Sequence, residues 1–203
     1  MEGIILVGGG GHCRSVIDAA ESAGIPVAGI LERAETEETD VLGYPVLGDD
    51  DLIENLAARH EFVVTVGFIR DNRIRERLHR RIKAAGGKLA TVIASTARVS
   101  PHALIGEGSV VLHHASINAC AKIGEGCIVN TAAIIEHDAC IGEGCHVSTG
   151  AIINGGCRVG DGVFIGSGSI LIQGVRIASG AIIGAGSLVR HDVESPGIIY
   201  GNI

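Results

Sequence analysis

The sequence predicts an α/β unit with a parallel sheet, followed by an all-β unit wound as a coil of short strands. Two observations carry this: up to about residue 95, short β-branched runs alternate with helical stretches, and from Ala97 onward aliphatic residues recur every six positions. A third agrees with them. The chain of 203 residues holds 31 glycines, about twice the usual share and without a collagen period, which asks for turn-rich or repetitive architecture.

The N-terminal elements follow in order. Ile4-Ile5-Leu6-Val7 reads as a buried strand, Gly8 to Gly11 as a tight turn, and His12 to Ala23 as a helix ended by Gly24 and Pro26. Val27 to Leu31 is a second strand. Asp49 to His60 reads as a helix whose acidic first turn suits the helix dipole. Phe62 to Val66 is a third strand, Asn72 to Ala85 a helix closed by Gly86-Gly87, and Leu89 to Ile93 a further strand. Strands alternating with helices imply a parallel sheet of Rossmann-like type, so residues 1–95 are expected to form one domain and 96–203 a second.

The second part keeps a strict period. Val99, Ile105, Val111, Ile117, Ile123, Val129, Ile135 and so on to Val189 make sixteen hexads without an insertion. Two places before each aliphatic residue stands a small one, such as Ala97, Ala103, Ser109 or Ala115, with Val163 and Val175 the bulkiest. Four of the turns read Gly-(Glu/Asp)-Gly, as at Gly106-Glu107-Gly108. A period of six does not match the α-helix, and the glycines would break one. It fits short strands in which one aliphatic residue per hexad points inward and glycine takes the corners.

Composition narrows the function. Aromatics are 2% of the chain, so the core is built from Ile, Val, Leu and Ala. A net charge of −7 argues against a nucleic-acid or anionic-membrane partner. No apolar run reaches membrane-spanning length, and the first residues lack the basic start and cleavage site of a signal peptide. Six cysteines without paired spacing then suggest reduced thiols and a cytoplasmic protein.

The hexads, the Gly8-Gly9-Gly10-Gly11-His12 turn, the Asn72-Arg73-Ile74-Arg75 helix start and the run Asn130-Thr131-Ala132-Ala133-Ile134-Ile135-Glu136-His137-Asp138 together carry a resemblance. The chain resembles the hexapeptide-repeat acyltransferases, specifically the bacterial sialic-acid O-acetyltransferase and nucleotide-amino-sugar N-acetyltransferase family (NeuD/PglD type). That resemblance implies a Rossmann-like domain followed by a left-handed parallel β-helix, three hexads to a triangular turn, closed trimers, and acetyl-CoA as acyl donor with no metal. Residues eighteen apart then stack at about 4.8 Å. His137 falls where the chain turns a corner, and Gly155 occupies the same corner one coil on.

The resemblance makes His137 the general base and the Gly155 amide the group that polarises the acetyl carbonyl, with His146 near the thioester. Asp138, where the family often has Glu, would orient His137; adjacent residues of a regular strand point apart, so the pair needs a bend at the corner. Ser167 and Ala185 correspond to backbone contacts for CoA. Gly10, Gly11 and His12 open a helix whose backbone N–H groups suit a phosphate. With Glu32, Gly67 and Asn130 they are the expected contacts to a nucleotide-activated amino sugar or sialic acid. The turn lacks a clean Gly-x-Gly-x-x-Gly, since Cys13 and Arg14 stand at the third-glycine places, and Glu32-Arg33 replaces the family's Asp-Asp. Arg70 or Arg73 could help to hold a diphosphate, although the basic run from 70 to 88 also reads as a solvated face. His113 and His114 read as surface or subunit-contact residues.

N-acetylation leads over sialic-acid-type O-acetylation. A catalytically silent hexapeptide scaffold would keep the hexads without needing His137 or Gly155. A zinc carbonic anhydrase would need three histidines at a spacing that His137 and His146, nine apart, do not supply.

Overall fold

The computed structural model describes residues 3–33 and 39–202. The first unit is a six-stranded sheet in the order β3-β4-β2-β1-β5-β6. Its strands are β1 (Ile4–Val7), β2 (Val27–Leu31), β3 (Asp40–Val41), β4 (Tyr44–Gly48), β5 (Glu61–Val64) and β6 (Lys88–Leu89). Helices α1 (Gly11–Ser22), α2 (Ile53–Leu56) and α3 (Arg73–Ala84) connect them. The pairs β1–β2, β1–β5, β2–β4 and β5–β6 are parallel, as strands joined by helical crossovers should be. β3 and β4 form an antiparallel hairpin at the edge, which the sequence reading did not anticipate.

Two other elements differ from expectation. The helix expected over Asp49–His60 shrinks to a 3-10 turn at Asp50–Leu52, capped by the Asp49 carboxylate, and the single turn of α2. Only Ile53 of this stretch is fully buried, so little apolar contact sustains a longer helix. The strand expected over Leu89–Ile93 breaks at Ala90-Thr91. β6 pairs with β5 in the first sheet, while β7 (Val92–Ile93) pairs with Val110–Val111 of the coil. The coil's ladder therefore begins at Val92.

From β7 the chain winds through two-residue strands that stack into three parallel sheets of seven, six and five strands, the faces of a triangular prism. Partners are eighteen residues apart: Ile117 pairs Ile135, and Ile135 pairs Ile153. The inward column of Val111, Ile117, Ile123, Val129, Ile135 and their successors forms one buried core with the small Ala and Cys residues between them. Each such aliphatic side chain contributes roughly 1.5–3 kcal/mol by leaving water. Every sixth residue from Gly108 to Gly186 takes a left-handed backbone, and ten of these fourteen corners are glycine. The other four are His114, Cys120, Ala132 and Asp138. The corner explains the period: each hexad supplies one strand and one reversal that only glycine makes without cost.

Cysteines in the small slot are consumed by the core. Cys127 and Cys145 each direct Sγ to the carbonyl of the glycine fifteen residues on, two places before a left-handed corner, at 3.0 Å, as Ser109 and Ser169 do with their hydroxyls.

The first unit sits on the seven-stranded face. Val110, Ile128, His146 and Phe164 point out of the coil there, yet all are buried. Val110 and Val92 join a cluster with Val16, Ile17 and Ala20 of α1. His113, expected at the surface or a subunit contact, hydrogen-bonds Thr96 at 2.7 Å and lies 3.1 Å from the Asp18 carboxylate of α1.

Candidate active site

The residues singled out by the sequence gather in three places, with Ser167 and Ala185 apart from them. The first is the prism edge between the six- and five-stranded faces, where His137 and Asp138 follow the strand Ile134–Ile135. Asp138 has φ 61°, and this left-handed corner turns its carboxylate back to the neighbouring imidazole: Asp138 Oδ2 lies 2.8 Å from His137 Nδ1. The bend that the pairing requires is thus supplied by the repeat itself. The hydrogen bond to Asp138, with the negative charges of Asp138 and Glu136, raises the His137 pKa above its ordinary value, although slight desolvation opposes the shift. With Nδ1–H given to the carboxylate, Nε2 carries the lone pair of the neutral ring.

Gly155 lies against that nitrogen. A Cβ added at Gly155 would stand 2.8 Å from both Nε2 and Cε1 of His137, closer than any real side-chain carbon approaches. The Gly155 N–H has no hydrogen-bond partner among the described residues, while its carbonyl accepts from Gly174 N–H at 3.0 Å. A basic nitrogen and an unused amide donor therefore share one edge of the prism. Both are needed to deprotonate a nucleophile and to stabilise oxygen charge.

The second place is a cavity of about 270 Å³ at the C-terminal ends of β1, β2 and β5. Gly8, Gly10, Gly11, His12, Glu32 and Gly67 line it. Gly8 N–H donates to Leu31 O at 2.8 Å and Gly9 N–H to Glu32 Oε2. The amides of Gly10, Gly11 and His12 have no partner among the described residues, and α1 starts at Gly11 without a side-chain cap or an acidic residue in its first turn. These are the orphan donors of a helix N-terminus, directed at an anion. Glu32 spends both carboxylate oxygens on the turn, since Oε1 accepts from Arg33 N–H at 2.8 Å. Arg33 lines it too, and the sequence reading missed Asp50, Ile74, Arg77 and Leu78, which also line it. Of the arginines it considered for the diphosphate, Arg73 forks onto Asp71 with Nε at 2.9 Å from Oδ1, and neither Arg70 nor Arg73 lines the cavity.

The third place is the joint between the two units. His146 leaves the coil as expected, but it is only 8% exposed, because Phe68 covers it. Its Nδ1–H donates to the Phe68 carbonyl at 2.8 Å, which leaves Nε2 as the acceptor, 3.3 Å from Asn130 Nδ2. Phe68 and Phe164 meet its ring edge-on at centroid distances of 5.6 and 5.2 Å, and His12 lies 6.5 Å away. Burial, with Arg75 nearby, lowers the pKa of His146 to about 4 and that of His12 to about 3. His12 Nε2 is buried without a hydrogen-bond partner.

Arg75 ties this joint together. Its Nη1 donates to the carbonyls of Val64 and Val66, each at 2.7 Å, and Nη2 to Gly126 of the coil at 3.1 Å. Only 2% of it is exposed, no carboxylate among the described residues pairs with it, and burial lowers its pKa to about 10. Val110, Ile128, Phe164 and Ile182 hold outward positions of this covered face, but the outward Ile134, Ile152, Ile170 and Leu188 of the six-stranded face are apolar as well, so spacing alone does not single it out.

Ser167 and Ala185 lie exposed on a different edge, between the seven- and six-stranded faces. Ser167 Oγ hydrogen-bonds Ser148 Oγ at 2.9 Å. A single chain thus brings His137, Asp138 and Gly155 together on one edge, and His12, His146 and Asn130 together at the joint, while Ser167 and Ala185 share with Asn130 the edge between the seven- and six-stranded faces, away from His137. Among the described residues, no group of three or more His, Cys, Asp or Glu side chains could hold a metal ion, and no helix is long and apolar enough to cross a membrane.

Comparison with known proteins follows this division. The PglD N-terminal domain profile matches residues 3–82, and the bacterial transferase hexapeptide profile matches residues 156–191. The acetyltransferase domain of PglB from Neisseria gonorrhoeae is similar to the chain at a TM-score of 0.92, with 33% identity, over 99% of this chain and 97% of that one. PerB from Caulobacter crescentus, solved with CoA and GDP-perosamine, is similar at 0.90 with 35% identity, over 98% and 94%. WeeI from Acinetobacter baumannii shares the fold at 24% identity, covering 98% and 96% with a TM-score of 0.87. An uncharacterized protein of Acanthamoeba polyphaga mimivirus is 30% identical over 118 residues, and the chain spans 22% of that relative's length. The chain belongs to the NeuD/PglD type of hexapeptide-repeat acyltransferases, with their Rossmann-like domain and left-handed β-helix.

Proposed function

We propose that this protein is an acetyl-CoA-dependent N-acetyltransferase that acts on the amine of a nucleotide-linked amino sugar. The observation that carries the reading is the edge at which His137 Nε2 stands against the bare backbone of Gly155, with Nδ1 held by Asp138 at 2.8 Å. In this reading Nε2 takes a proton from the neutral amine nitrogen as the nitrogen lone pair bonds to the acetyl carbon. The Gly155 N–H meets the carbonyl oxygen as that oxygen gains charge. As the tetrahedral intermediate collapses, the C–S bond breaks and the proton held on Nε2 passes to the sulfur, which leaves as the thiol of CoA. The helix N-terminus at Gly10, Gly11 and His12 supports a diphosphate in the cavity, and the GDP-perosamine bound by PerB supports an amino sugar attached to it.

The separation of faces supports assembly as a homotrimer. His137 would meet Ser167 and Ala185 only where the edge of one prism lies beside a different edge of another. The outward column of Ile134, Ile152, Ile170 and Leu188 on the six-stranded face offers apolar surface for such contact, with Ile170 36% exposed. Activity is tested by thiol release from acetyl-CoA with UDP-, GDP- and dTDP-linked amino sugars and CMP-sialic acid as acceptors. Turnover with an amino sugar nucleotide is expected. Turnover with only the sialic acid would replace N- by O-acetylation, and turnover with none would overturn the acceptor class.

A further inference from the structure

The cavity carries three charged side chains that the family reading does not use. Arg33, Asp50 and Arg77 line it beside the apolar Leu31, Ile74 and Leu78. None of the three has a side-chain hydrogen bond or a close ion pair among the described residues. Asp50 is the unusual one. It is half-buried, and burial raises its carboxyl above the usual range although Arg81, Arg77 and Arg33 lie near enough to oppose the shift. A carboxylate that gives up water without gaining a partner is an acceptor left open for a donor pair. Glu32, the acid at the end of β2 where such folds engage ribose, is occupied by Gly9 and Arg33 N–H.

We infer that this cavity selects guanine as the base of the substrate nucleotide, with Asp50 accepting from N1–H and the N2 amino group and an arginine donating to O6 and N7. The inference rests on the nucleotide-sugar reading above. Among the common bases, guanine alone presents two adjacent donors to a carboxylate. Uracil and thymine offer one N–H flanked by two carbonyl oxygens, which a carboxylate repels, and adenine and cytosine offer a single exocyclic amine. Arginine paired to O6 and N7 is the commonest specific contact to guanine. The apolar side chains of Ile74 and Leu78 provide surface for the ring.

Isothermal titration of the full-length protein with GDP, IDP, 2′-deoxy-GDP, UDP, dTDP, CDP and ADP tests this. GDP binds tightest, and IDP, which lacks only the N2 amino group, binds about tenfold or more weaker. Asp50→Asn lowers GDP affinity and brings GDP and IDP within about threefold of each other. Equal binding of GDP and IDP by the unaltered protein, with 2′-deoxy-GDP much weaker, would assign Asp50 to the ribose and overturn the inference. Preference for UDP or dTDP overturns it while leaving the nucleotide reading intact. Binding of no nucleoside diphosphate removes both.

Discussion

Gly155→Ala is a small change with a large expected effect. The added methyl would lie 2.8 Å from Nε2 and Cε1 of His137, whereas nonbonded carbon contacts settle near 3.5–4.0 Å. The imidazole must therefore retreat by about 0.7 Å or more. A retreat of that size away from the edge stretches the 2.8 Å bond to Asp138 towards 3.5 Å, the limit at which such a bond ceases to hold the ring. Misplacing a reacting group by about 1 Å costs on the order of 100-fold in rate. Gly155 is not among the corner glycines with positive φ, so alanine fits its backbone, and the three atoms nearest the new methyl all belong to His137. The fold is thus spared. Thiol release under saturating acetyl-CoA and acceptor should fall about 100-fold. The thermal midpoint should stay within about 2–4 °C. Retention of kcat within about threefold would refute the reasoning, since the methyl could then be accommodated without disturbing the base.

Two pH experiments follow from the same geometry. Because Asp138 raises the His137 pKa, the neutral, proton-accepting ring is lost below an apparent pKa above the ordinary histidine value, so kcat falls on the acid side of that point. Asp138→Asn should move this acidic limb to lower pH while lowering the plateau rate, and an unmoved limb would detach the dyad from the chemistry. Stability should respond in another window. His146 is buried and the Nε2 atoms of His12 and His79 are too, and desolvation lowers the three pKa values to about 4, 3 and 3, so the unfolded chain binds protons that the native state refuses. Their stabilising effect is complete above the unfolded value near 6.5 and is lost as pH falls from there towards 4. The slope approaches about 1.4 kcal/mol per pH unit for each histidine. Denaturant midpoints at pH 7.5, 6, 5 and 4 check this, and a flat profile would contradict it.

How much of this was legible in the sequence depends on how local each signal is. The period of six is enforced at every corner by backbone sterics, so Val99 to Val189 could be placed inward from spacing alone. The eighteen-residue stacking of His137 and Gly155 follows once three hexads make a turn. Asp138 was harder, because a strand would have separated it from His137; the left-handed corner that reunites them is visible only from its register with the glycines. Elements that depend on tertiary contact were read less well. Asp49–His60 has helical residues but buries almost nothing. The break at Ala90-Thr91 is decided by which sheet captures each half. Phe68 and Arg75 find their partners through the docking of the two units, and Asp50 and Arg77 meet the cavity through packing within the first unit, neither of which leaves a trace in local spacing.

The account stands on His137, and the direct measurement is steady-state acetyl transfer by His137→Ala, with trimer formation and CoA affinity measured on the same preparation. The account predicts a kcat lower by about 100- to 10,000-fold, the range of general acid–base catalysis, with assembly and CoA binding unchanged. A variant that turns over within a few fold of the unaltered protein would contradict it.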